Sequence, residues 1–468
     1  MSQVENFLEK QLELLKSEDP LTRSTAAEAL THEELTEDAA DALCRLVTDS
    51  DKGVRNSADL AISINASPVI PKYLVKYISS PEISIRNLAG EILLKIGPHA
   101  IDAMLKFLDR GTDDDKKFIV DILGLIGDPV ASDKLYELLQ TNKNDNVILA
   151  CIEALGNLKY EDAVDYMIKV YPQNELFRPT IIESLGKIGS KKAVKFIIDS
   201  FTYEDELTKF SMIESLGLIG DEETFFFLLS ELNKTEGPLV WVILNSIFQL
   251  KEKYNFDVPF DDWMKKAILN TIYEADSEFQ KAAVNLIIPF DDEEVINALL
   301  TVYGNNFELD DLIKPKCISK PVVTLMLLPN LLNKNPQNIR NLLELLKEMV
   351  VYENIDYKGK LSSLQFRDLT EAVSNCLDNP DEEVRKSATE LLFFLDNDIA
   401  VLFLEKMVED DNMWNRLKLL ELIDGVHSLK VNIALNKLAN DPEEMISERA
   451  QFIISQRENS KFETKIEN

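Results

Sequence analysis

One basic position returns along the first half of the chain at a nearly constant interval, and nothing else in the sequence constrains the fold so tightly. Arg23, Arg55, Arg86, Lys117, Ile148, Arg178 and Lys209 follow one another at spacings of 32, 31, 31, 31, 30 and 31 residues, with Ile148 the single apolar exception. Four residues before each stands Asp19, Asp51, Glu82, Asp113, Asn144, Asn174 or Asp205. Seven positions in register are an internal repeat. A unit of this size cannot bury its own apolar face, so successive units must stack and share one continuous core. The 468 residues would otherwise suggest roughly three globular domains. A stacked array has no single core to saturate, so that inference lapses.

The physics of one unit is legible from Asp113 to Gln140. Asp113 suits a helix N-cap or first turn, where a carboxylate meets free backbone N–H groups and the positive helix end. Phe118, Ile119, Ile122, Leu123 and Ile126 form an apolar stripe of helical period. Gly127 then ends the helix, where a left-handed residue costs least. Asp128 and Pro129 open a second helix with Ala131, Leu135, Leu138 and Leu139 facing inward. The break recurs at Gly97, Gly127, Gly189 and Gly220, with Asn65 and Lys159 in its place elsewhere. Asn tolerates the left-handed conformation; Lys159 is expected to strain it or to end the helix differently. Gly124, Gly156, Gly186 and Gly217 lie three residues before a break. A mid-helix glycine costs about 1 kcal/mol against alanine, so its recurrence predicts close approach of helices there.

These units resemble HEAT repeats. Asp51, Val54 and Arg55 match the opening of the family's motif, as do Asp381, Val384 and Arg385. Leu123-Gly124-Leu125-Ile126-Gly127 and Leu216-Gly217-Leu218-Ile219-Gly220 match its close. The nearest kind is the short bacterial repeat found in phycobilin lyases. The resemblance implies an all-α fold, a right-handed α-α superhelix or α-solenoid. It also implies an aspartate–arginine ladder between units, with structural roles for Asp51, Arg55, Glu82 and Arg86. On function it is nearly silent, because HEAT arrays serve unrelated partners.

The register is regular over residues 1–234. It drifts over 235–370, where Tyr254–Asp262 lengthens a loop and Pro315, Pro321, Pro329 and Pro336 punctuate a stretch carrying Lys314, Lys316, Lys320 and Lys334. Short helices with irregular turns are expected in that stretch. Regular register returns over 371–458, with Arg416 following Arg385 by 31 residues. Residues 443–456 read as a closing amphipathic helix, and 459–468 as a polar tail that needs no structure.

The formal net charge of −32 opposes nucleic acid, whose binding depends on neutralising phosphates, and it opposes anionic membranes. A charge-driven partner is therefore a protein with a basic or amphipathic segment. The longest apolar stretch, 238–250, is too short to span a bilayer. Cys44, Cys151, Cys317 and Cys376 show no paired spacing and read as reduced, buried thiols, which points to the cytoplasm. His32, His99 and His427 lie in separate repeats, so no cofactor or metal is expected; only His32-Glu33 echoes the histidine–glutamate pairs of HEAT-type hydroxylases. Gly186–Lys191 lacks the spacing and preceding strand of a phosphate loop. Asp49, Asp51 and Gly53 begin like a calcium loop, but its twelfth position is Leu60.

One constellation points to a binding surface. Second helices of HEAT units line the concave face, and aligning them stacks Tyr73, Ala103, Lys134, Tyr166, Phe196 and Phe227 in one column. Phe226 stands in the adjacent column with Lys72, Asp102, Asp133, Asp165 and Lys195. Phe225, Phe226 and Phe227 are consecutive on a helix, so at least one is exposed. Tyr73, Tyr166, Phe196, Phe226 and Phe227 are thus candidate partner-binding residues; the competing reading is that the rings fill space between second helices. The expected function is a non-enzymatic interaction scaffold or adaptor. The alternatives are a lyase-like catalytic HEAT protein holding a small molecule or chromophore, and a structural part of a larger assembly docking through its irregular centre.

Overall fold

The first-half units form as their patterning requires. A computed structural model describes residues 3–65, 67–334, 337–353 and 356–466, and among them helices alternate with short turns and no β-strand occurs. Contacts group the chain into two units. One runs to Thr235 and includes Glu252–Asn255; the other comprises Glu236–Lys251 and the chain from Phe256 onward. Each is a stack of helix pairs, the solenoid type of all-α fold.

Within the first unit the first helices of successive pairs are Pro20–Ala29, Lys52–Asn65, Ile83–Ile96, Asp113–Ile126, Asp145–Asn157, Arg178–Ile188 and Glu206–Ile219. The recurring glycines explain their spacing. A Cβ on Gly124 would lie 2.9 Å from the Ala154 backbone, and one on Gly156 2.7 Å from the Ser184 side chain. On Gly186 it would meet the Ser215 Oγ at 2.6 Å, and that hydroxyl donates to the Ile182 carbonyl. Each glycine therefore lets the next first helix approach to a distance that no side chain permits.

Helices end as expected at Gly97, Gly127 and Gly189, all with positive φ. Gly220 ends its helix differently: φ is −65°, and its need for glycine is steric, since a Cβ would fall 2.5 Å from the Thr224 methyl. Lys159 does adopt the left-handed conformation, with φ of 53°. Its N–H donates to Gly156 and that of Tyr160 to Leu155, the bonding of a Schellman cap with lysine where glycine costs least. Asn65 stays within its helix, and its amide donates to the Leu30 and Glu33 carbonyls of the preceding unit.

The ladder exists, but not between the residues expected. In most units the acidic or amide residue four before the basic position caps its own helix: Asp19 accepts from the Thr22 N–H, Asp51 from Val54, Asn144 from Asn146 and Val147, Asp205 from Thr208, whereas Glu82 holds the cap position without a side-chain bond. In the unit read above, Thr112 is the cap and Asp113 the first helical residue. The arginine instead reaches a carboxylate in the loop before the next unit. Arg23 grips Asp49 with two bonds of 2.8 Å, Arg385 grips Asp410 at 2.8 and 2.9 Å, and Arg416 grips Asp441 at 2.8 and 2.9 Å. Each also donates to two carbonyls five and six residues upstream. Arg55 keeps its bonds to the Asp49 and Ser50 carbonyls but makes no ion pair among the described residues. Arg86, half-buried, makes neither, which corrects the expectation that it is bonded to its own or a neighbouring unit. The cause is composition: the loop residue 25 positions after Arg55 is Ser80, and the one 25 positions after Arg86 is Gly111.

The proline-punctuated stretch is more regular than expected. Pro315 and Pro329 lie inside the helices Phe307–Ser319 and Pro321–Lys334. Each removes one ladder bond at a cost of about 3 kcal/mol, which the buried stripes Leu309, Ile313, Cys317 and Leu325, Leu328, Leu331, Leu332 offset. Pro321 sits at a helix start, where its missing N–H is free of cost, and Pro336 lies outside the described residues. The lysines there are largely neutralised: Lys316 and Lys320 both bind Asp291, holding its carboxyl below the usual range, and Lys314 binds Glu348. The last helix runs from Glu444 to Ile466, through most of the expected tail, because no glycine or proline interrupts it. Glu467 and Asn468 lie outside the described residues.

Candidate functional site

Second helices of the first unit present their outward residues side by side, and inter-unit bonds stitch this face. The Lys72 ammonium and Tyr73 hydroxyl donate to Glu37 of the preceding unit at 2.9 and 2.6 Å. Lys134 pairs with Asp109 at 2.9 Å, the Tyr160 hydroxyl donates to Asp133 at 2.7 Å, and Lys192 pairs with Asp165 at 3.1 Å. The Tyr73 hydroxyl, then Lys72, holds the Glu37 carboxyl below its ordinary range, while the Asp133 bond pushes the Tyr160 phenol up to about 12. These exposed pairs fix register more than they add stability.

The aromatic column divides accordingly. Tyr73 is held by Glu37. Tyr166 packs edge-on against Tyr136 at 6.1 Å, Phe196 against Tyr171 at 5.0 Å, and Phe227 against Phe201 at 5.3 Å. All four are half-buried, each ring (Tyr73 apart) meeting one from the preceding unit. Phe225 belongs to the core at 2% exposure, whereas Phe226, between two packed rings, is 59% exposed. Of the five nominated residues, Phe226 is the one that offers its surface to solvent. Glu222 and Glu223, in the first turn of the same helix Glu222–Leu232, are exposed and form no ion pair among the described residues.

A second apolar surface escaped the sequence reading. Leu402 and Ile433, in the second unit, are each 60% exposed and line a groove with Val401, Leu404, Val408 and Ala434. They stand 31 residues apart. Leu402 follows Arg385, and Ile433 follows Arg416, by the same 17 residues, and that shared register is the signal that finds them.

Reactive groups are dispersed. Cys44, Cys151, Cys317 and Cys376 are buried and free; burial pushes the first three thiols up to about 12 and Cys376 up to about 11. His32, His99 and His427 are exposed on separate turns. Among the described residues no three His, Cys, Asp or Glu side chains come together as metal ligands, and no helix is long and apolar enough to cross a membrane.

Comparison with known proteins places one stretch. Residues 101–178 match the family described as HEAT repeats. No curated protein matches the chain. Among solved structures, a crystal structure of an engineered protein is similar at 15% identity, over 96% of this chain and 98% of that one, with a TM-score of 0.23; a likeness that loose carries no argument.

Proposed function

We propose that the chain is a protein-interaction scaffold or adaptor of the HEAT-repeat kind, with Phe226 as an anchor for a protein partner carrying a basic or amphipathic segment. The observation that carries this is a large ring left in solvent between a buried ring and a half-buried one, on a face otherwise closed by inter-unit pairs. The unpaired Glu222 and Glu223 beside it favour a partner with apolar and basic residues. Four inert, buried thiols suit a reducing compartment, and we place the chain in the cytoplasm.

Affinity capture with wild-type chain, followed by titration of the captured protein against Phe226→Ser, tests the reading. An exposed ring contributes little to the fold, so unfolding should move by less than about 0.5 kcal/mol. A central interface aromatic is worth about 2 kcal/mol, so affinity should fall roughly thirtyfold. Unaltered affinity in the well-folded variant removes Phe226 from the interface, and loss of fold returns the ring to the core.

A further inference from the structure

The second helix of the unit that opens at Asp381 is interrupted. It forms over Asn397–Ala400, turns through residues 401–403, and resumes over Leu404–Val408. Its neighbour in the next unit is unbroken, Leu429–Leu438. The interruption leaves a groove of about 310 Å³ between them, with Leu404, Val408 and Ala434 on its floor and Leu402 and Ile433 on its rims.

The charges on the Ile433 rim reverse the sign of the chain. Lys430 and Lys437 flank Ile433 three and four residues away, so all three share one helix face. Lys430 is exposed and forms no ion pair among the described residues, while Lys437 reaches Glu409 at the surface. Lys437 is largely neutralised by Glu409, so among the described residues Lys430 is the free cation on this rim, and beside an open apolar groove it favours an acidic segment over a basic one. The opposite wall carries Glu405, so the occupant's carboxylates belong on the Lys430 side. We propose that this groove binds an amphipathic helix of a partner protein, with aliphatic anchors between Leu402 and Ile433 and acidic residues toward Lys430 and Lys437. A second copy of this chain fits less well, since two bodies of −32 repel each other before the groove is reached.

The probes are two synthetic amphipathic helices with one leucine pattern, one bearing glutamates and the other lysines on its polar face. Each is titrated against the full chain by fluorescence anisotropy at low and high salt. The glutamate peptide should bind, weaken about tenfold or more with Ile433→Asp, and weaken severalfold with Lys430→Glu and with added salt. Phe226→Ser should leave it unchanged, which keeps this groove separate from the surface proposed above. Leu402→Asp repeats the test from the other rim should Ile433→Asp unfold. The inference is overturned by absence of saturable binding, by equal binding of the lysine peptide, or by binding indifferent to both rim variants. A concentration-dependent dimer lost in Ile433→Asp would also overturn it, in favour of a second copy.

Discussion

Arg416 and Arg86 occupy the same register position in two regions of the molecule, and their surroundings differ completely. Arg416 spends its guanidinium on both oxygens of Asp441 and on the Asp410 and Asp411 carbonyls, with about a tenth of its side chain exposed. The Arg86 guanidinium has no hydrogen-bonded or ion-paired partner among the described residues. The difference lies 25 residues downstream, where one chain segment supplies aspartate and the other glycine. A repeat thus fixes where a side chain stands, and the composition of the next unit decides what it is worth.

The largest test of that contrast is Arg416→Ala. Removing one partner leaves the Asp441 carboxylate, only 6% exposed, without its counter-charge. The expected loss is about 3–5 kcal/mol, against less than about 0.5 kcal/mol for Arg86→Ala. Trp241, Trp263 and Trp414 all lie in the second unit, so denaturation followed by tryptophan fluorescence reports the Arg416 effect directly, and circular dichroism reports Arg86. Equal losses in the two variants would dissolve the comparison.

Acid should act on the same pairs. Burial pushes the Asp410 and Asp441 carboxyls up, but Arg385 and Arg416 with the backbone N–H groups of Asn412 and Glu443 outweigh it and hold both below the ordinary range. A depressed folded pKa means stability that is complete above the unfolded value of about 4 and lost as pH falls through the folded one. The denaturation midpoint of the second unit should therefore drop below about pH 4, and an Arg385→Ala/Arg416→Ala chain should show a flatter profile. A parallel profile in that double variant would mean other carboxylates set the acid limit.

The first helices of the first unit offer the next effect. Alanine at position 156 gains about 1 kcal/mol of helix propensity, yet its Cβ would lie 2.7 Å from that of Ser184 and 2.9 Å from the Ser184 backbone. Overpacking of that kind costs about 1–3 kcal/mol, so Gly156→Ala should destabilise by about 1 kcal/mol net. Thermal unfolding by circular dichroism decides it, and a stabilised variant would refute the close approach.

What the sequence disclosed and what it withheld follow one rule. Period and apolar stripe dictated the helix pairs and the breaks at Gly97, Gly127 and Gly189, because each depends on residues local to one unit. The tight approach at Gly124, Gly156 and Gly186 is a contact between units, but it was legible because the glycine that permits it recurs in each. The partner of each arginine depends on a pairing across units, and Asp49 sits two residues from Asp51, the more obvious candidate. The aromatic column was visible as a column, but its exposure was decided by rings outside it: Tyr136, Tyr171 and Phe201 cover Tyr166, Phe196 and Phe227, and no ring of the preceding unit packs on Phe226 among the described residues. The groove beside Ile433 arises from a helix interruption at residues 401–403 that no glycine or proline announces.

If the loop residue decides what the arginine is worth, a missing rung can be built. Ser80 stands 25 residues after Arg55 with φ −62° and ψ 134°, almost the backbone of Asp49, which has φ −61° and ψ 142°. Its hydroxyl accepts the Glu82 N–H, as the Asp49 carboxylate accepts that of Asp51, so an aspartate at position 80 inherits the same local bond. Arg55 already donates to the Asp49 and Ser50 carbonyls, as Arg23 does to those of Ser17 and Glu18, and its remaining guanidinium face is unpaired. Ser80→Asp should therefore form a bidentate pair with Arg55 without moving the backbone. Part of the Coulomb gain goes to desolvating the new carboxylate, and the chain's negative charge rises by one, so the net stabilisation expected is modest, about 0.5–1 kcal/mol. The signature that separates a built rung from a general surface effect is coupling. Ser80→Asp should stabilise the wild-type chain and do nothing, or slightly destabilise, in an Arg55→Ala background. A double-mutant cycle read by thermal unfolding measures that coupling, and a value near zero would show that the register alone does not place Arg55 for the pair.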